Sequence, residues 1–336
     1  MAPLLEIILK SVVLIFVLLT GFAYMSLVER KVLARLQARI GPNRAGPMGL
    51  LQPLADGLKL IVKESITPGT VDKPIYFLAP VLVVIPALIL FAVIPVGSLP
   101  IFQLASNVNV GVLYVLGVMG IAVYGITLAG WSSNNKYASL GGLRASAQVI
   151  SYELGMGLSM VAVVLMAGSL SLAQIVNAQL PGQWGGILGW YIFRQPVAAV
   201  IFAITALAET MRAPFDLVEA EQELTAGFMT EYSGMKFALF FMGEYVKMIA
   251  VSALFTTFFL GGWSGPFVTE VPILSVVYFT AKVILCLLAM IWTRATLPRM
   301  RYDRLMGFGW KVLLPVGLAN VMVTALLIVA KIPGYQ

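Results

Sequence analysis

Six carboxylates and one base occupy residues 209–231: Glu209, Asp216, Glu219, Glu221, Glu223 and Glu231, with Arg212 among them. On a helix from Asp216 onward, Asp216, Glu219 and Glu223 share a face at i, i+3 and i+7, while Glu221 points elsewhere. Glu209, seven residues earlier, extends that face only if the helix resumes in register across Pro214. Carboxylates stacked in this way repel one another when all are ionised. The spacing therefore predicts raised pKa values and protons held near neutrality. A charge run is also the ordinary signature of a solvated loop. The interleaved Ala213, Pro214, Phe215, Leu217, Val218, Ala220, Leu224, Phe228 and Met229 speak instead for packing at a membrane boundary.

Four more charges stand inside apolar stretches: Glu153, Glu244, Lys247 and Lys282. Each costs about 2.5–3.5 kcal/mol at a bilayer centre on insertion scales, and such groups face a bundle interior, pair, and mark ion or proton paths. Glu244 and Lys247, at i and i+3, can pair on their own helix, so a structural ion pair accounts for those two. A carboxylate chain running from the acidic segment into the membrane accounts for Glu153 as well, and is the preferred reading. The chain has no histidine and one cysteine, Cys286. That excludes a disulfide framework, a four-cysteine zinc site, a thiolate-held iron–sulfur cluster and the common haem ligand. Proton chemistry is left to Asp, Glu, Lys, Tyr and water.

The elements that must position these groups are membrane helices. Of 336 residues 60% are hydrophobic and 11% charged, against about 25% charge in a soluble domain. A span needs about 20 mostly apolar residues, which places eight near 4–27, 75–95, 108–130, 147–168, 191–208, 236–260, 273–293 and 310–330. The fold class expected is an all-α polytopic membrane bundle with one interfacial helix, a single membrane domain over 1–336. Arg30, Lys31, Arg35, Arg39, Arg44, Lys59, Lys63 and Lys73 follow span 1; Lys136 and Arg144 follow span 3; Arg294, Arg299, Arg301 and Arg304 follow span 7. The loops 96–107, 169–190 and 261–272 carry neither Lys nor Arg. The positive-inside rule then puts both termini outside and makes 29–74 and 209–235 cytoplasmic loops, the second unusual in being acidic. The net charge of +7 is explained by this sidedness rather than by nucleic acid.

Within 29–74, Gly41-Pro42 and Gly46-Pro47 turn the chain. Beyond them Gln52, Asp56, Lys59 and Lys63 fall on one face of a helix, with Leu51, Leu54, Leu58, Ile61 and Val62 on the other. Too polar to span, this helix belongs in the interface plane. It serves either as a plain anchor or as the frame of an opening through which a lipophilic ligand enters from the bilayer.

Several strings taken together closely resemble one family of respiratory complex I membrane subunits, the H-type subunits of bacteria, whose mitochondrial counterpart is NADH dehydrogenase subunit 1. They are Glu29-Arg30-Lys31, Gly41-Pro42-Asn43-Arg44, the run from Gly49 to Leu60, Arg144-Ala145-Ser146-Ala147-Gln148, Ser151-Tyr152-Glu153, Pro214-Phe215-Asp216-Leu217, Glu219 to Leu224, Glu231-Tyr232-Ser233-Gly234, Gly243-Glu244-Tyr245 and Pro298 to Asp303. The resemblance implies a membrane subunit of a proton-translocating NADH:quinone oxidoreductase with no redox centre of its own. Quinone is then the substrate, while NADH, FMN and iron–sulfur clusters belong to partner subunits. The partners implied are quinone-site peripheral-arm subunits, small and antiporter-like membrane subunits, and lipid. By motif, Arg30, Arg39, Asp56, Lys59, Phe228, Arg294 and Arg299 become candidates for the quinone chamber or its rim. Glu153, Asp216, Glu219, Glu221, Glu223, Glu231 and Glu244 become candidates for the acidic link to proton pumping. The membrane implied is a bacterial plasma membrane, with the mitochondrial inner membrane as the alternative. The rival readings are a membrane anchor of a related hydrogenase-type complex, a stand-alone proton or cation transporter, and a purely structural anchor.

Overall fold

A computed structural model describes residues 2–99, 108–180, 189–216, 225–268 and 270–331, with side chains from Leu5 onward. It contains α1 (Ala2–Leu36), α2 (Gln52–Val62), α3 (Lys73–Ile89), α4 (Gly111–Ser132), α5 (Lys136–Ala167) and α6 (Leu172–Asn177). These are followed by α7 (Tyr191–Arg194), α8 (Pro196–Glu209), α9 (Gly234–Phe259), α10 (Leu274–Thr296), α11 (Tyr302–Phe308) and α12 (Leu314–Val329), the last two joined by a π turn at Gly309–Leu313. No strand occurs among the described residues. Among the described residues seven helices are long and apolar enough to cross a membrane, counting α11 to α12 as one.

The eighth expected span, 191–208, is not one helix. Gln195 leaves helical geometry at φ −126°, ψ 57°, Pro196 starts a new helix, and α8 runs for 14 residues. At 1.5 Å per residue that is about 21 Å, short of the roughly 30 Å hydrocarbon core. Span 1 extends well past residue 27: Val28, Val32 and Leu33 keep the apolar pattern going around Glu29, and α1 ends at Leu36. Span 4 likewise begins earlier, at Lys136. The side chain of Asn135 caps it by accepting from the Tyr137 N–H at 2.9 Å, and left-handed Gly168 (φ 65°) closes it.

The bundle centres on α9, whose buried Phe240, Val246, Val251, Leu254, Phe258 and Phe259 lie on a helix packed against α1, α3, α8 and α10. Small residues bring the neighbouring helices close. A Cβ on Gly125 of α4 would lie 2.6 Å from Val83 Cγ2 and 2.9 Å from the Ala79 carbonyl of α3, so only glycine permits this packing. α2 is different. None of its residues is buried, and Leu54, Leu58, Ile61 and Val62 are exposed, as the apolar face of a helix lying on a membrane would be. Lys63, expected to continue its polar face, is extended and ends the helix. The end of the bundle that carries the basic loops is called the basic end below.

Candidate functional site

Because α1 continues as helix beyond its apolar stretch, it carries Arg30 alongside α2. The Arg30 guanidinium meets Asp56 at 2.8 Å, Lys59 Nζ stands 3.8 Å from the same carboxylate, and Gln52 donates to it at 3.1 Å. Arg30, Asp56 and Lys59 form the rim of a cavity of about 350 Å³ between α1, α2 and α9. Its walls are largely apolar: Phe22, Leu60, Phe237, Phe241, Met242 and Tyr245 among others. The stretch of chain after α2 is tied to the start of α9. The Ile66 N–H donates to Ser233 Oγ at 2.9 Å, and Lys236 Nζ donates to Thr67 Oγ1 at 2.6 Å. The rim ion pair is largely solvated, so it contributes charge and shape more than stability.

Behind the cavity lies a ladder of buried charge. The chain bends sharply after α8, and Gln148 of α5 holds the bend by donating to the Ala208 carbonyl at 2.9 Å and the Phe215 carbonyl at 3.0 Å. This turns Arg212 inward. Arg212 Nη1 donates to Glu29 Oε1 at 3.1 Å, and its Nε lies 2.7 Å from Glu244 Oε1. Glu29 also accepts from Arg294. Alongside, Lys247 pairs with fully buried Glu209 at 2.6 Å, and Arg299 pairs with buried Asp216 at 3.0 Å. Four acids (Glu29, Glu209, Asp216, Glu244) thus face four bases (Arg212, Lys247, Arg294, Arg299), and burial is tolerated because every charge has a partner. Burial pulls the Arg212 pKa down, but the Glu244 and Glu29 carboxylates outweigh it and hold the guanidinium above its ordinary value. It stays a cation.

Glu153 stands at the edge of this ladder. Its carboxylate packs against Gly120 of α4, feels the charges of Glu209 and Lys247, and has no base within ion-pair distance among the described residues. It also lines an open groove between α4, α5 and α12 with Leu116, Gly157, Leu314 and Leu318.

Tyr245 joins the two halves of the site. It lines the cavity, and the Arg212 guanidinium lies over its ring, 4.6 Å from the centroid. The Tyr245 ring thus stands between the cavity and the hub of the ladder.

The candidates named from sequence fall into separate places. Arg30, Asp56 and Lys59 line the cavity. Arg294 and Arg299, expected at the chamber, belong to the ladder. Arg39 lies beyond α1, exposed and bonded to Gln37 at 2.8 Å. Phe228 is buried edge-on to Phe240, and lines a pocket of about 40 Å³ with Glu209, Glu244 and Lys247 rather than the cavity. Of the acids, Asp216, Glu244 and Glu153 come together as above. Glu231 stands apart, accepting from Asn135 Nδ2 at 2.6 Å. Glu219, Glu221 and Glu223 lie outside the described residues. The pairing of Glu244 with Lys247 that their spacing allows does not form. The two side chains turn to Arg212 and Glu209, because the bend after α8 delivers one partner of each sign to α9. Sequence reasoning counted Glu209 and Arg212 in the acidic segment and Lys247 among the charges inside the spans, without their partners, and gave Glu29 and Tyr245 no role of their own. The signal for Glu29 was the apolar periodicity continuing on both sides of it.

Comparison with known proteins gives this arrangement a family. Residues 9–325 match the NADH dehydrogenase family. The chain is 50% identical to the second H-type subunit of NADH-quinone oxidoreductase from Koribacter versatilis, over 98% of both chains. It is 51% identical to the H-type subunit from Protochlamydia amoebophila, over 91% of this chain and 92% of that one. It is also 51% identical to the first H-type subunit from Geobacter metallireducens, over 96% of each. With a match spanning nearly its whole length, this integral membrane protein belongs to the NADH dehydrogenase family.

Proposed function

We propose that the chain is the membrane subunit of a proton-translocating NADH:quinone oxidoreductase that forms part of the quinone chamber and its entrance and couples quinone reduction to proton movement. The observation that carries this reading is the position of Tyr245, wall of the cavity on one side and platform for Arg212 on the other. An apolar cavity with a charged rim beside an interfacial helix suits a ligand with a greasy tail and a polar head arriving from the bilayer. Reduction of a quinone takes two electrons and two protons. With one cysteine and no histidine here, the electrons come from an iron–sulfur centre in a neighbouring chain, itself fed from NADH. A unit charge created within about 10 Å of a carboxylate is worth about 1.7 kcal/mol at an effective dielectric of about 20, roughly one pKa unit. An anionic quinone intermediate near Tyr245 therefore shifts the proton balance of the ladder, and Glu153 carries the disturbance toward the groove beside α12.

On this reading the basic end is cytoplasmic and meets the peripheral-arm subunits, both termini are periplasmic, and the membrane is a bacterial inner membrane. Small and antiporter-like membrane subunits receive the signal on the Glu153 side. The names of the relatives favour this over the hydrogenase-type anchor.

The test is Glu244→Gln in the assembled complex in inverted membrane vesicles. Quinone-linked NADH oxidation and its proton uptake should fall about tenfold, because the pair with Arg212 loses its charge. Oxidation of NADH by an artificial acceptor, which bypasses the quinone, should be unchanged. Unaltered coupled quinone reduction would sink the reading.

A further inference from the structure

Lys282 is a half-buried charge inside a span that the ladder leaves out. It sits on α10 and reaches the end of α9 opposite the basic end. There the chain leaves α9 through Leu260–Ser264, with Gly261 at φ +71° and Gly262 at φ +54°. Glycine is required at both. A Cβ on Gly261 would stand 2.4 Å from Ser264 Oγ and 2.7 Å from the Trp190 indole, and one on Gly262 would stand 2.6 Å from Val176 Cγ2. The left-handed turn makes three carbonyls converge. Lys282 Nζ donates to those of Leu260 at 2.7 Å, Gly262 at 3.0 Å and Ser264 at 2.7 Å, and lies 4.3 Å from the centroid of the Trp190 ring. A primary ammonium has three donors, and all three are used.

These carbonyls follow a helix C-terminus, where no later N–H of the helix serves them and the negative end of the helix dipole lies. The Trp190 indole N–H donates to Ser264 Oγ at 3.1 Å, fixing the aromatic wall. No carboxylate lies within ion-pair distance of Lys282 among the described residues. Among the described residues, the groups that contact the ammonium are backbone carbonyls and an aromatic face, neither of which takes up or gives up a proton. The site is built to hold a cation, and nothing in it passes a proton on.

We propose that the 260–264 turn and Trp190 form a cage selective for a primary ammonium, that Lys282 is its tethered occupant, and that this occupancy pins the far end of α9. Lys282 is a positioning residue: it fixes the end of the helix whose other half carries Glu244, Tyr245 and Lys247. The inference stands on the geometry of the cage and does not depend on the quinone reading.

Lys282→Ala removes three methylenes and the ammonium, a space that n-propylammonium fills. In the assembled, purified complex carrying this variant, amide hydrogen exchange across 260–264 should rise about tenfold. Added n-propylammonium should restore protection, whereas n-propanol, equal in bulk but neutral, and tetramethylammonium, which has no N–H, should not. Restoration by propanol as good as by propylammonium would reduce the lysine to a space-filler and overturn the proposal, as would wild-type protection without any additive. Lys282→Met keeps the bulk of the stem and covers the case in which the alanine variant does not assemble. It should lose protection to the same degree, and wild-type protection in it overturns the proposal equally.

Discussion

The two ends of α9 hold charge by opposite means. Toward the basic end, Glu244 and Lys247 are matched by side chains that are themselves ionisable, Arg212 and Glu209, and Arg212 is shared with Glu29. Toward the other end, the Lys282 ammonium is matched by three backbone carbonyls and an indole face, with neutral Gln179 bracing the same turn. The first arrangement is a set of mutual dependences: change one charge and the balance of every neighbour moves. The second has fixed dipoles and nothing to titrate. A helix so built has one end that can answer a charge in the adjoining cavity and one end that stays put.

The largest way to break this comparison is Arg212→Met. It leaves Glu244 without its base and Glu29 with only the half-exposed Arg294, and a buried pair broken on one side costs about 3–5 kcal/mol. The thermal midpoint of the assembled complex should drop accordingly, and quinone-linked turnover should be lost. Arg212→Lys, which keeps the charge without the fork, should lose less of both. Burial lowers the pKa of Arg212 while Glu244 and Glu29 raise it further, so the net shift is upward. The stabilisation it brings is present below the ordinary arginine pKa and would be lost only above the raised value. Across about pH 5–9 Arg212 itself therefore adds no pH dependence. An Arg212→Met complex as stable as the wild type would mean that the ladder is not a mutually dependent set.

Much of this fold can be read from sequence, because lipid demands runs of apolar residues whatever the fold. The helices, the basic end and the amphipathic α2 follow from composition and period, and the family from its strings. The charges inside the spans also stand out, since each is conspicuous among apolar neighbours. Their partners do not. Glu244 lies three residues from Lys247, and nothing local says that it will choose Arg212, 32 positions away. That choice depends on Gln148 of α5 clamping the bend after α8, through contacts with residues 60 and 67 positions along the chain. Glu29 stood out only as part of a family string, because a charge at the end of an apolar run reads as a boundary. α1 instead carries on as helix to Leu36 and buries it. Period fixes which face a residue is on. Which neighbour occupies that face is a tertiary fact.

A smaller effect, with a different signature, is expected at the quiet end. Gln179 is fully buried. It donates to the Ile175 and Thr257 carbonyls at 3.2 and 3.1 Å and accepts from the Tyr191 and Gly261 N–H groups at 3.2 and 3.1 Å. Gln179→Leu leaves these backbone groups without their partner and should destabilise the complex by about 2–4 kcal/mol. Since no charge is touched, the pH profile of quinone-linked turnover, measured on intact complex, should superimpose on that of the wild type. A shifted profile would show that this end communicates with the ladder after all.

The smallest effect separates charge from place. Tyr232 lies at the basic end but takes no part in the ladder. It stacks on Tyr76 with centroids 4.2 Å apart and donates its hydroxyl to the Tyr76 carbonyl at 3.2 Å. Tyr232→Phe keeps the stack and loses about 1 kcal/mol with the hydrogen bond, with turnover unchanged. Burial pushes the Tyr232 phenol well above its usual range, Ser132 partly opposing and Tyr76 adding to the rise. A raised pKa of this sign means stability that is fully present below the unfolded value of about 10 and lost as pH climbs toward the folded one. The wild type alone carries that dependence, so the gap in thermal midpoint between it and Tyr232→Phe should narrow above about pH 10. A gap that stays constant there would mean that the phenol is not held neutral by its surroundings. If turnover fell instead at neutral pH, position at the basic end, rather than membership of the charge ladder, would be what matters for function.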